Sequence, residues 1–181
     1  MSRIGKLPIA IPAGVSVEIK DNIVTVKGAK ETLTQEFSKN VTVEVKDNHI
    51  IVGRADETTD SNAKQGLYRQ LIHNMVVGVK DGFSKSLTVQ GVGYKLQKQG
   101  NKLVMNLGLS HPVEFVEPAG ISLEVPDNST IVVKGANKEL VGATAAKIKA
   151  IRPIEPYHGY GIHYSNETVI LKPGKAAGKK K

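Results

Sequence analysis

Val41-Thr42-Val43-Glu44-Val45-Lys46-Asp47-Asn48, followed by Ile50-Ile51-Val52, returns 80 positions later as Ile121-Ser122-Leu123-Glu124-Val125-Pro126-Asp127-Asn128, followed by Ile131-Val132. Each copy reads strand, turn, strand, and each is followed by a helical stretch. A recurrence this long exceeds a solenoid unit and is explained by a duplicated domain. The fold class that follows is α+β, with two tandem domains, each an antiparallel β-sheet packed with one main α-helix. The boundary falls at Lys80-Asp81-Gly82, giving a first domain over 1–82, a second over 83–172, and a basic C-terminal tail over 173–181.

Within each copy apolar and polar residues alternate, as in Val15-Ser16-Val17-Glu18-Ile19-Lys20 and again from Val41 to Lys46. That period of two marks strands with one buried face. Asp21-Asn22, Asp47-Asn48 and Asp127-Asn128 are residue types that tolerate positive φ, and Gly100-Asn101 adds a fourth hairpin signal. A first helix is predicted from a cap at Ser61 or Asn62 to about residue 77. Leu67, Leu71 and Met75 with Tyr68, Ile72 and Val76 form its core stripe, and Gly78 ends it. A second helix is predicted over 137–151, burying Leu140, Val141, Thr144, Ile148 and Ile151, with Pro153 preventing continuation. Lys138, Lys149 and Arg152 share another face, either solvated or set against an anion.

The 181 residues include no Cys and no Trp, so the cores are aliphatic and neither a disulfide framework nor a thiolate site is available. This suits a reducing cytosol. Pro8 and Pro12 break the apolar run at the start, which therefore reads as neither signal sequence nor membrane span. The formal net charge of +8 is uneven: residues 1–82 hold 11 Lys+Arg against 10 Asp+Glu, whereas residues 83–181 hold 14 against 7. Lys172, Lys175, Lys179, Lys180 and Lys181 have no acid among them. Such an end is a polyanion-binding arm or a solubilising tail.

Signs of an enzyme or a cofactor are scarce. Gly91-Val92-Gly93 lacks the third glycine of a dinucleotide loop and stands between strands, with no helix to receive a pyrophosphate. His158 and His163 have no ligand spacing that suits a metal. Ser110-His111 read as extended backbone would point apart, which is no nucleophile and base. Hence no catalytic residue, cofactor, metal or small-molecule substrate is expected, and no membrane.

Ile151-Arg152-Pro153-Ile154-Glu155-Pro156-Tyr157-His158-Gly159-Tyr160-Gly161-Ile162-His163-Tyr164 carries most of the functional information. Two prolines and two glycines predict a loop. Tyr157, Tyr160 and Tyr164 offer flat faces to bases or ribose, and Arg152 with the histidines can meet phosphates. Equally, the rings could pack back on the sheet with their hydroxyls outward.

Met1-Ser2-Arg3-Ile4-Gly5-Lys6, Ile11-Pro12-Ala13-Gly14-Val15, Val89-Gln90-Gly91-Val92-Gly93-Tyr94, Asn106-Leu107-Gly108, Ser110-His111-Pro112-Val113 and Glu155-Pro156-Tyr157 stand in one order along the chain. In this the sequence resembles the bacterial large-subunit ribosomal protein six family, over essentially its whole length. The resemblance implies two similar α+β domains and a non-enzymatic, cytoplasmic constituent of the large ribosomal subunit. It also implies binding to 23S rRNA near the sarcin-ricin loop, the elongation-factor site and the stalk base, beside neighbouring ribosomal proteins. Where the family usually reads Tyr-Lys-Gly-Lys-Gly, then a basic residue and Tyr, this chain has His158, Tyr160 and His163 at the three cationic positions, up to three formal charges fewer. The expected rRNA contacts are Lys95, Lys149, Arg152, Tyr157, His158, Gly159, Tyr160, Gly161, His163 and Tyr164, with Lys172, Lys175, Lys179, Lys180 and Lys181 trailing. A non-ribosomal RNA-binding regulator or RNA chaperone would share the charge pattern, and a hydrolase using the loop histidines and Glu155 is the enzymatic rival.

Overall fold

The structure is a computed structural model that describes residues 3–29 and 31–175. The chain forms two compact units, one of residues up to Phe83 with Ala136–Lys138, the other of Ser84–Gly135 with residues from Glu139 onward. The first runs β1 (Ile9–Ala10), β2 (Ser16–Lys20), β3 (Ile23–Lys27), β4 (Thr32–Glu36), β5 (Val41–Lys46), β6 (His49–Arg54) and α1 (Thr59–Lys80). The second repeats that order as β7 (Phe83–Gln90), β8 (Lys95–Gln99), β9 (Lys102–Asn106), β10 (Val113–Val116), β11 (Ile121–Asp127), β12 (Thr130–Gly135) and α2 (Lys138–Ile151), then adds β13 (Gly161–Tyr164).

Each unit has two sheets rather than one. In the first, β2-β3-β4 forms a meander and β1-β6-β5 a second sheet; in the second, β10-β9-β8 is the meander and β11-β12-β7-β13 the second sheet. The turn chemistry explains the registers. Asp21, Asn22, Asp47 and Asn48 all take positive φ, from 44° to 65°, which closes two-residue hairpins between Lys20 and Ile23 and between Lys46 and His49. Asp127-Asn128 differs: the register shifts between Glu124 and Asp127, so Asp127 pairs with Thr130 and the two-residue turn is Asn128-Ser129. Pro126 interrupts donation along that strand, which accounts for the irregularity.

Helix α1 begins one turn earlier than predicted, because Thr58 caps it by accepting a hydrogen bond from the Ser61 N–H, and it continues past Gly78 to Lys80. Gly78 is buried inside the helix instead of ending it: a Cβ there would lie 2.0 Å from the Ala136 carbonyl oxygen. Leu67 is exposed, and the buried stripe includes Gln65 and Arg69, with Gln65 donating to the Val52 carbonyl at 2.8 Å. The core of this unit gathers Ile9, Val24, Val26, Phe37, Ile50, Val52, Ile72 and Val76. In α2 the buried residues are Val141, Thr144, Ala145 and Ile148, while Leu140 is exposed and Ile151 half-buried.

The predicted loop over 151–164 is in part a strand. Residues 161–164 pair antiparallel with β7, with Ile162 opposite Val89 and fully buried. A free edge on β7, more than 70 positions away, supplies the partner that composition could not indicate. No helix among the described residues is long and apolar enough to cross a membrane.

Candidate nucleic-acid interface

Segment 152–175 is the part of the second unit with no counterpart in the first, and its own hydrogen bonds fix its shape. The Arg152 carbonyl accepts from the Ile162 N–H at 2.9 Å, Glu155 N–H donates to the Tyr160 carbonyl at 2.8 Å, and Lys172 N–H donates to the Pro156 carbonyl at 2.8 Å. Gly161 has φ 143°, and a Cβ on it would stand 2.6 Å from both the Ile154 Cα and the Pro153 carbonyl oxygen. Its close backbone approach is to this chain's own main chain. Gly159, also buried and with φ 76°, is covered by Leu171.

Two carboxylates organise the side chains. Glu155 accepts from the Tyr157 N–H on Oε1 at 2.9 Å and from the His158 N–H on Oε2 at 2.7 Å, and the His158 Nδ1 lies 3.2 Å from that same Oε2. The His158 N–H foremost holds the Glu155 carboxyl below the ordinary carboxylate range; burial, the next largest effect, opposes it, and the Tyr157 N–H and the imidazole add to the lowering. His158 stacks on Tyr160 with centroids 5.5 Å apart. Glu167 receives the Lys149 ammonium at 2.6 Å and the Tyr164 N–H at 3.2 Å, and Lys149, followed by that N–H, pulls its carboxyl down.

Tyr164 is flanked by two cations, Lys85 at 4.4 Å and Lys149 at 4.7 Å from the ring centroid. Of the residues singled out in the sequence, Lys149 and Tyr164 are thus engaged with each other. Tyr157, His158, Tyr160, Lys172 and Lys175 are exposed; Arg152 and His163 are half-buried; Lys95 is exposed at the start of β8. Lys179, Lys180 and Lys181 lie outside the described residues. Tyr157, His158, Pro173, Gly174 and Lys175 line an open hollow of about 530 Å³. An aromatic ring, an imidazole and an ammonium around such a hollow can stack a base and meet its phosphate.

Lys85 and Glu167 are not singled out by the sequence, and Glu155, read there as part of a hydrolase rival, instead shapes the loop by accepting two backbone N–H groups. Lys85 reaches Tyr164 only through the β7–β13 pairing, and no sequence signal revealed that pairing. The histidines are also more defined than composition allowed. His163 Nδ1 lies 2.9 Å from the Tyr164 carbonyl, and His158 Nδ1 faces a carboxylate. Both oxygens only accept, so Nδ1 carries the proton in each ring and Nε2 is left for an outside partner.

Elsewhere, Ser110 and His111 do not point apart. The backbone bends after Gly108 (φ 69°), and Ser110 Oγ lies 3.3 Å from His111 Nδ1. Both are exposed, and among the described residues no carboxylate pairs with that imidazole. Tyr94 packs on Gly91 and Gly108, where a Cβ would come within 2.4 Å and 3.0 Å of the ring, which explains why glycines flank this tyrosine in both loops.

The family model described as ribosomal protein L6 matches residues 11–82 and again 90–165, one match on each unit. The chain belongs to the ribosomal protein L6 family. Members similar to it include the large ribosomal subunit protein uL6 of Listeria welshimeri, 51% identical over 175 residues that make up 97% of this chain and 98% of that protein. The protein of the same description from Desulfitobacterium hafniense is 54% identical over 180 residues, covering 99% and 98%. The L6 family is a family of ribosomal structural proteins, not of enzymes, and its two matches take in β2 to α1 and β8 to β13.

Proposed function

We propose that this protein is a structural constituent of the large subunit of the cytoplasmic ribosome, and that it binds 23S rRNA chiefly through segment 152–175 and its supports. The observation that carries this reading is the concentration of positive charge and aromatic rings in the second unit. That unit has the charge excess, four of the five Tyr, and the added segment whose rings and cations surround an open hollow. Lys95, Arg152, Tyr157, His158, Tyr160, Lys172 and Lys175 meet the RNA directly, with Lys179, Lys180 and Lys181 extending the contact. Gly159 and Gly161 set the path of the chain. Lys149, Tyr164 and Lys85 form one cationic aromatic platform, and His163 offers Nε2 beside it.

The RNA region is that near the sarcin-ricin loop, the elongation-factor site and the stalk base, where neighbouring ribosomal proteins adjoin. Binding proceeds by counterion release at phosphates and by packing on ribose and base. Cosedimentation distinguishes this reading from a free RNA-binding regulator or chaperone. In a lysate fractionated after a salt wash, the protein should remain with large subunits; its release to the top of the gradient would overturn the assignment.

A further inference from the structure

The first unit, nearly neutral overall, contains a buried cation that forms no ion pair among the described residues. Arg69 is 9% exposed, its Nε donates to the Leu7 carbonyl at 3.1 Å, and its Nη1 reaches the Gln70 side chain only at 3.5 Å. Among the described residues it forms no ion pair with a carboxylate. Burying a guanidinium this deeply without a counter-charge is costly, so something outside the fold is the natural complement.

The surroundings give that complement its chemistry. Residues 69, 73 and 80 lie on one face of α1, since four and then seven positions bring a helix back to the same side. Arg69, His73 and Lys80 accordingly line one cleft of about 230 Å³, together with Pro8, Pro12 and Asp81. His73 Nδ1 is buried without a hydrogen-bond partner. A bare lone pair is cheaper to bury than an unpaired N–H, so the proton resides on Nε2, a neutral donor. Burial first, then the positive charges of Arg69 and Lys138, keep the imidazole below its ordinary range.

We propose that this cleft is a binding site for a phosphate ester, with its oxygens on Arg69, the His73 Nε2–H and Lys80 and its organic body against Pro8 and Pro12. A guanidinium, a neutral N–H and an ammonium supply donors for more than the two oxygens of a carboxylate, and a forked guanidinium matches phosphate bidentately. The cleft is too large and its walls too apolar for a bare ion, which favours a nucleotide unit. The site does not depend on the rRNA contact proposed for the second unit.

The test is an NMR titration of the full-length protein, following the His73 ring signal with uridine 5′-monophosphate, uridine, and a five-nucleotide oligouridylate. The monophosphate should shift the signal saturably, and uridine at the same concentration should not. Lys80→Glu, at an exposed position, should weaken binding about tenfold or more, whereas Lys39→Glu should leave it unchanged. An oligonucleotide that binds about tenfold tighter than the monophosphate assigns the site to an RNA chain, and equal affinity assigns it to a free nucleotide. A His73 signal that stays still up to about 10 mM monophosphate, that moves equally with uridine, or that responds unchanged in Lys80→Glu would overturn the site.

Discussion

Gly161 shows what a single residue does here. Its φ of 143° and the 2.6 Å that would separate a Cβ from the crossing backbone leave no room for a side chain. Gly161→Ala should destabilise the second unit by about 2 kcal/mol or more, measured by urea unfolding. His73 carries a pH prediction. Because the folded state holds its pKa down, the unfolded chain takes up the proton more readily, so its contribution is present above the unfolded value near 6.5 and is lost as pH falls below it. Its share of the slope is at most about 1.4 kcal/mol per pH unit. The groups facing it are Arg69 and Lys138, with Lys80 and Asp81 along the same cleft. Unfolding midpoints at pH 7.5, 6.5 and 5.5 should fall for the wild type and fall less for His73→Gln. At this scale the sequence was readable where chemistry is local: Asp21-Asn22 and Asp47-Asn48 turn as their residue types require. Arg69 and Gln65 were not readable as buried, because their partners, the Leu7 and Val52 carbonyls, are backbone groups brought close only by folding.

Strand β13 makes the corresponding point for elements. Proline and glycine around it suggested a loop, yet its four residues complete a sheet because β7 has an edge to cover. Ile162→Ala should cost about 2–5 kcal/mol, and a chain ending at residue 151 should expose the β7 edge and aggregate in light scattering where the full chain stays monodisperse. A polar clasp joins β8 to the connection before β11. Lys98 meets Glu117 at 2.8 Å and the Leu123 carbonyl at 2.6 Å, and Glu117 accepts from the Leu123 N–H. Burial pushes the Glu117 carboxyl up, but the Lys98 hydrogen bond, the Leu123 N–H and the Lys98 charge together outweigh it and leave the pKa lowered. The stabilisation is therefore present above the unfolded carboxylate value near 4.3 and is lost as pH falls through the lower folded value. Glu117→Gln should unfold more easily at pH 7 and show a flatter acid limb than the wild type.

For the whole molecule, the duplication was legible because the Val41 and Ile121 hairpins preserve both alternation and turn position across 80 residues. The doubling of sheets within each unit was not, since a meander and a hairpin have the same period of two whether they share a sheet or not. The charge division was legible too, but its geometry depends on Lys85, which the β7–β13 pairing brings to Tyr164. The central claim, that the second unit carries the rRNA contact, is tested most directly by the affinity of the full-length protein for a 23S rRNA fragment from the sarcin-ricin region. Wild type should lose roughly 10-fold to 1000-fold between about 50 and 200 mM salt. Lys95→Glu with Lys172→Glu should bind more weakly at every salt concentration and with a shallower salt slope, whereas Lys39→Glu in the first unit should match wild type. Equal losses from the two units, or wild-type affinity and slope in the Lys95→Glu, Lys172→Glu protein, would contradict the account.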